Sequence, residues 1–173
     1  MIPTLSTNRL ILRAPRREDF LPFAAFWASG RSVYEGGPRD MSGAWDDFAA
    51  GFGLWTINGL GTWAVQDRAS GALAGVIGYY HPAAFPELEI GWTLLDGFEG
   101  KGLAFEAAMA AREWGYREKG LATLVSYIDP ANARSIRLAE RMGARRDLAA
   151  PGIDQGDVVM RHPGADGTFR WWS

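Results

Sequence analysis

Cysteine is absent from the 173-residue chain. Its absence excludes disulfides, thiolate catalysis and cysteine-based zinc sites, and it fits a cytoplasmic protein. Histidine is nearly absent as well: His81 and His162 are the only two, so a multi-histidine metal centre is not expected and no metal is assigned. No apolar run reaches the roughly 18 residues that a membrane span needs. The opening stretch "MIPTLSTNRLILRAP" has no basic segment followed by an apolar one, so a secretory leader is not expected. Lysine is scarce too, with only Lys101 and Lys119; arginine supplies every other basic side chain. An excess of one charge is also lacking. Eighteen basic and twenty acidic residues give a net charge of −2 with no basic stripe, which argues against a nucleic-acid partner.

What is present is a chain of one-domain length, 1–173, with 47% hydrophobic residues, eight tryptophans and 22 glycines. "TNRLILRAP" alternates and reads as a strand ending at Pro15. Phe20, Phe23, Ala24 and Trp27 fall at helical spacing, with Gly30 as the stop. "RSVYEGGPRD" reads as a loop. The stretch from Met41 to Gly59 reads as a helix capped by Ser42, with Trp45, Phe48, Ala49 and Phe52 on one face. A hairpin follows, with strands near 62–67 and 72–80 joined at Ser70-Gly71. "ELEIGWTLLD" reads as a third strand of the centre, with Glu87, Glu89 and Gly91 on one face and Leu88, Ile90 and Trp92 on the other. A helix then runs to Gly120, burying Leu103, Ala107, Ala110, Ala111 and Trp114. "ATLVSYIDP" is an apolar strand, "ANARSIRLAERMGA" a helix capped by Asn132, and "DVVMRHP" a last strand. The order is β-α-α-β-β-β-α-β-α-β. It predicts a mixed α/β sheet with helices on both faces and a parallel pair flanking the third helix.

The stretch "LDGFEGKGLAFEA" concentrates glycine between a strand and a helix start. Such a turn exposes backbone N–H groups at the positive end of the helix dipole, where an anion can bind. A tight β-to-α turn with nothing bound is the plainer alternative. A P-loop pattern fails, because Gly102 stands where Ser or Thr should follow Lys101. A dinucleotide pattern starting at Gly100 fails at Phe105. What survives is G-x-G-x-A within "EGKGLAFEA".

With that motif, the chain resembles the GNAT superfamily of N-acetyltransferases, and most closely the branch containing ribosomal-protein N-terminal acetyltransferases. Four stretches carry the resemblance: "TNRLILRAPRREDF", "GALAGVIGYY", "ELEIGWTLLDGFEGKGLAFEA" and "DPANARSIRLAERMGA". It implies a mostly antiparallel sheet with a splayed parallel strand pair, whose gap takes the pantetheine arm of acetyl-CoA. By that likeness the backbone of Trp92, Thr93, Leu94 and Leu95 pairs with pantetheine. The N–H groups of Gly100, Lys101, Gly102, Leu103 and Ala104 hold the pyrophosphate, and Asn132 and Ser135 meet the arm. Arg137 or Arg141 is a weaker candidate for the adenosine phosphates. Gly97 departs from the family pattern, in which many relatives carry Arg or Gln.

The implied reaction is acetyl transfer to an amine. The amine must lose a proton, the thioester oxygen needs donors, and the thiolate can take a proton. Glu89 is the candidate base, with Glu87 competing, and a backbone N–H between Gly91 and Thr93 is the oxyanion donor. The family's helix tyrosine is missing, since Leu138 is followed by Ala139; Ser135 and Tyr127 are the candidates for the acid. Glu106 reads as a first-turn helix residue. Acceptor selection is assigned to Ser32–Gly61, where Glu35, Asp40, Asp46 and Asp47 can attract a cation. Trp171 and Trp172 are expected to pack on the domain or at a dimer contact, and monomer and homodimer both stay open. The competing reading is a non-catalytic acyl-CoA binding module on the same fold.

Overall fold

The computed structural model describes residues 1–172. In chain order the strands and helices are β1 (Leu5–Ser6), β2 (Leu10–Arg13), α1 (Phe20–Trp27), α2 (Met41–Asn58), β3 (Thr62–Asp67), β4 (Leu73–Tyr80), β5 (Glu89–Leu94), α3 (Leu103–Lys119), β6 (Leu124–Ile128), α4 (Ala133–Arg141), β7 (Arg145–Arg146) and β8 (Val158–His162). Two 3-10 turns, Arg17–Asp19 and Gly30–Glu35, flank α1. The eight strands form one sheet in the order β1-β2-β3-β4-β5-β6-β8-β7. Every neighbouring pair is antiparallel except β5 and β6.

Alternation along the strands builds two apolar layers. Trp63, Val65, Ile77, Tyr79 and Ile90 face α3, where Leu103, Ala107, Ala108 and Ala111 meet them. Ala64 and Val76 face the other way, onto Phe23, Trp27, Phe48 and Phe52 of α1 and α2. Ile136 and Ala139 of α4 close a smaller cluster with Ile128 and Met160. Helices therefore cover both faces, as the sequence predicts.

Several local expectations change. Asp40, not Ser42, caps α2, its Oδ1 accepting from Gly43 N–H at 2.8 Å. The segment after Gly30 is a 3-10 turn rather than an open loop, because the Ser29 hydroxyl accepts from Arg31 N–H and caps its start. Ala108 lies in the buried face of α3, while Ala110 is half-buried. The two-residue strands β1 and β7 carry no periodicity long enough to announce them. Trp171 and Trp172 keep 47% and 39% of their surface exposed, so the expected burial of both is only partial. Trp171 stacks on Phe169 at 5.0 Å, and Trp172 N–H donates to Asp147.

Candidate active site

The strands β5 and β6 pair at a single position, Glu89 opposite Val125. Val125 N–H donates to the Leu88 carbonyl at 3.2 Å. In a continued parallel ladder the next bond would run from Tyr127 N–H to the Ile90 carbonyl. That rung is replaced. Tyr127 N–H donates to Glu89 Oε1 at 3.2 Å, and the Ile90 carbonyl accepts the Ser126 hydroxyl at 2.6 Å. Side chains satisfy both halves of the rung, so the strands part without orphaning a buried polar group.

Beyond the rung the gap opens. Leu95 N–H donates to the Ala74 carbonyl at 2.9 Å, on the β4 side. Strand alternation then sends the Thr93 peptide groups to β4 as well and turns those of Trp92 and Leu94 into the gap. Of the four residues assigned to pantetheine, Trp92 and Leu94 present backbone to the gap; Thr93 and Leu95 do not. Arg31 Nη2 donates to the Leu94 carbonyl at 2.9 Å, and the Thr93 hydroxyl donates to Glu35 at 2.7 Å.

A groove of about 1220 Å³ follows the gap outward. Gly100, Gly102, Leu103 and Ala104 line it together with Arg31, Arg134, Arg137 and Arg141. α3 starts after Gly102, whose φ of +76° suits glycine, with no side-chain cap. The first-turn N–H groups of a helix have no intrahelical partner, and Gly102, Leu103 and Ala104 at the start of α3 line the groove. Gly100 has a φ of +72°, and a Cβ built on it meets nothing within 4 Å, so its backbone sign rather than crowding calls for glycine. Lys101 is expected to act through its backbone N–H; it is absent from the groove lining, and its Nζ folds back to the Gly97 carbonyl at 2.6 Å. Glu106 is taken by Thr7 and by Arg9, each at 2.6 Å, in keeping with a structural first-turn role.

A second cavity, about 550 Å³, lies on the other side of the junction. Trp27, Leu54, Tyr80 and Phe85 supply apolar wall, and Glu35, Asp47, Glu89, Asp129, Asp154 and Asp157 supply carboxylates. The one basic residue in its lining, Arg39, is paired with Asp47 at 3.1 Å. Of the four acids expected to attract a cation, Glu35 and Asp47 line the cavity, whereas Asp40 caps α2 and Asp46 lies outside the lining. Tyr34, Glu35, Trp92, Thr93, Asn132 and Ser135 line both cavities, which makes them one cleft.

Glu89 lines the second cavity, at the start of β5. Desolvation pushes its carboxyl up to about 8; the Tyr127 N–H opposes the shift, while Glu35 and Asp157 add to it. Glu35 keeps solvent access, yet desolvation raises it to about 7 against the Thr93 hydroxyl and Arg31. Glu87 is removed from contention as a base, because both its oxygens are bound by Arg161, at 2.6 and 2.9 Å. Ser135 Oγ accepts from Trp92 Nε1 at 3.2 Å, while Ser135 N–H is capped by Asn132 at 3.2 Å. The hydroxyl proton of Ser135 has no protein acceptor among the described residues. Tyr127 lines the second cavity, its oxygen accepting from Glu87 N–H at 3.1 Å, and burial pushes its phenol to about 12. The sequence reading missed Arg31, Tyr80, Ser126 and the 153–157 loop. Only Ser126 left a signal, a lone polar residue inside the apolar run "LVSYI".

Residues 9–145 match the family model described as an acetyltransferase (GNAT) domain. An uncharacterised N-acetyltransferase of Bacillus subtilis (strain 168), YnaD, is 34% identical over 80 residues, 46% of this chain and 47% of that protein. The match thus spans about half the length of that relative. The crystal structure of an acetyltransferase from Agrobacterium tumefaciens str. C58 superposes with a TM-score of 0.90 at 42% identity, covering 94% of this chain and 95% of that one. The ribosomal-protein-S5-alanine acetyltransferase of Vibrio fischeri shares the fold, with a TM-score of 0.72 at 16% identity over 96% of this chain and 100% of its own. With a family model spanning most of its length and a fold common to these enzymes, the chain belongs to the GNAT acetyltransferase family.

Proposed function

We propose that the chain transfers an acetyl group from acetyl-CoA to a primary amine, a protein N-terminus or a small-molecule amine, by direct attack in a ternary complex. One observation carries this reading: a single cleft is arginine-lined at one end and carboxylate-lined at the other, with Glu89 and the replaced rung in the wall of the carboxylate end. The arginine end fits a polyphosphate, because free helix N–H groups and guanidinium groups are its natural donors. The carboxylate end fits an amine arriving as its ammonium ion.

In the carboxylate end, Glu89 takes the ammonium proton, directly or through a water. The freed lone pair attacks the thioester carbon, and the carbonyl π pair moves onto oxygen. Trp92 N–H, which has no strand opposite it, is the donor placed for that oxygen. When the tetrahedral intermediate collapses, the C–S bond breaks and its pair leaves on sulfur. The nitrogen's remaining extra proton balances the thiolate charge, through solvent or through the Ser135 hydroxyl. Ser135 and Tyr127 each accept one hydrogen bond and keep their own proton, but Ser135 lines both cavities whereas Tyr127 lines only the carboxylate-rich one, so Ser135 is the favoured donor for this step.

The test is release of free thiol from acetyl-CoA across a panel of primary amines, with product acetylation checked by mass. Acetylated product that depends on both substrates supports the reading. Tight coenzyme binding with no transfer to any amine would replace it with a binding module.

A further inference from the structure

His162 is fully buried at the end of β8 and belongs to neither cavity. Its place in a directed hydrogen-bond chain is legible from proton counting. Ser126 Oγ lies 2.6 Å from the Ile90 carbonyl and 3.0 Å from His162 Nε2. A serine hydroxyl has one proton, and a carbonyl only accepts, so at this distance the proton lies toward Ile90. Ser126 must then accept from His162, which places a proton on Nε2. Nδ1 is left as the acceptor facing Arg112 Nη1 at 3.5 Å, and a guanidinium can only donate. The same Arg112 nitrogen is anchored to the Met142 carbonyl at 2.6 Å. The direction is therefore fixed from Arg112 to His162, to Ser126, to the Ile90 carbonyl.

That carbonyl is one half of the replaced rung. We propose that His162 is a positioning residue: as an Nε2–H donor it commits the only Ser126 proton to Ile90 and so holds the β5–β6 fork open at its working register. The consequence of presenting Ser126 with an acceptor instead follows from the geometry. If the Ser126 proton turns to His162, the Ile90 carbonyl loses its partner and becomes the natural acceptor for Tyr127 N–H. The ladder then closes by one rung. Glu89 loses the N–H that orients it, and Trp92 N–H moves toward a strand partner instead of the thioester oxygen. The inference rests on the acetyl-transfer reading for its catalytic consequence, but the tautomer itself does not.

The experiment pairs a spectroscopic readout with kinetics on the full chain. Long-range proton–nitrogen correlation of the unliganded native protein should show His162 protonated on Nε2 and bare on Nδ1. Ser126→Ala, which removes the hydroxyl, and His162→Glu, which puts a carboxyl acceptor opposite it, should each lower kcat by about tenfold or more, while the KM for acetyl-CoA stays within about threefold, because the phosphate groove is untouched. His162→Gln, which keeps an N–H donor at similar reach, should retain most of kcat. A native Nδ1–H tautomer would overturn the proposal, and so would a folded Ser126→Ala enzyme with native kcat. If His162→Glu fails to fold, the native spectrum, Ser126→Ala and His162→Gln still decide. A native protein that transfers no acetyl group would defeat the proposed function instead, and the spectrum would still report on the relay.

Discussion

At Glu89 one carboxylate accepts the Tyr127 N–H that ends a ladder and also faces the acceptor cavity. Those two duties carry opposite consequences for stability and for activity. Desolvation raises the group to about 8, so folding disfavours its charged form. A carboxyl whose folded pKa lies above its unfolded value stabilises the fold at low pH, and that contribution is lost as pH rises through about 8. Glu89→Gln should therefore melt at a higher temperature than the native protein at pH 9, as measured by calorimetry. The same variant should lose about 100-fold or more in kcat, the size of a general-base contribution, with acetyl-CoA binding retained. Because the base must be unprotonated, native kcat/KM should climb with pH and level off above about 8. A profile flat from pH 6 to 9 would remove Glu89 from the base role. Strand alternation put Glu87 and Glu89 on one face, and the family resemblance, with the groove it implies, singled out Glu89. The disqualification of Glu87 was not legible in the sequence, because its partner Arg161 lies 74 residues away in the chain.

On the proposed function, the β5–loop–α3 unit is the element on which coenzyme binding depends. Its glycines were readable because strand, positive-φ turn and helix start follow one another within a few residues. Gly102 supplies the left-handed φ of +76° at the head of α3. A side chain there costs about 1–2 kcal/mol from backbone sterics alone, for Ala as for Glu. Gly102→Ala thus serves as the stability control for Gly102→Glu, which also places a negative charge among the groove's N–H donors. Calorimetric titration should show acetyl-CoA affinity falling by about tenfold or more in Gly102→Glu relative to Gly102→Ala. Equal affinity in the two variants would move the pyrophosphate elsewhere. The opening between β5 and β6 was less legible than the loop. Period-2 patterning assigns faces to a strand, but it is silent on where a ladder stops when a side chain from 36 residues away takes the carbonyl.

For the molecule as a whole, element order and sheet class followed from periodicity, while long-range polar bonds decided how the late strands are tied in. Arg161 is the clearest case. It is 0% exposed and binds Asp147 at 2.6 Å as well as Glu87, joining β8, the approach to β5 and the segment after β7. Replacing it with Met leaves two carboxylates without their cation in a largely buried setting, so Arg161→Met should lower unfolding stability by about 3–5 kcal/mol in urea titration. The replaced rung has a mechanical meaning as well. Seen as a mechanical plate, the sheet is a five-strand panel and a three-strand panel that share a single paired position. The boundary between them is a seam, where force applied across the sheet falls on that one pair and the side-chain bonds beside it. On the proposed function, a coenzyme arm lying along that seam would act as a suture. The enzyme should be stiffest while its substrate is bound and most compliant just after product leaves.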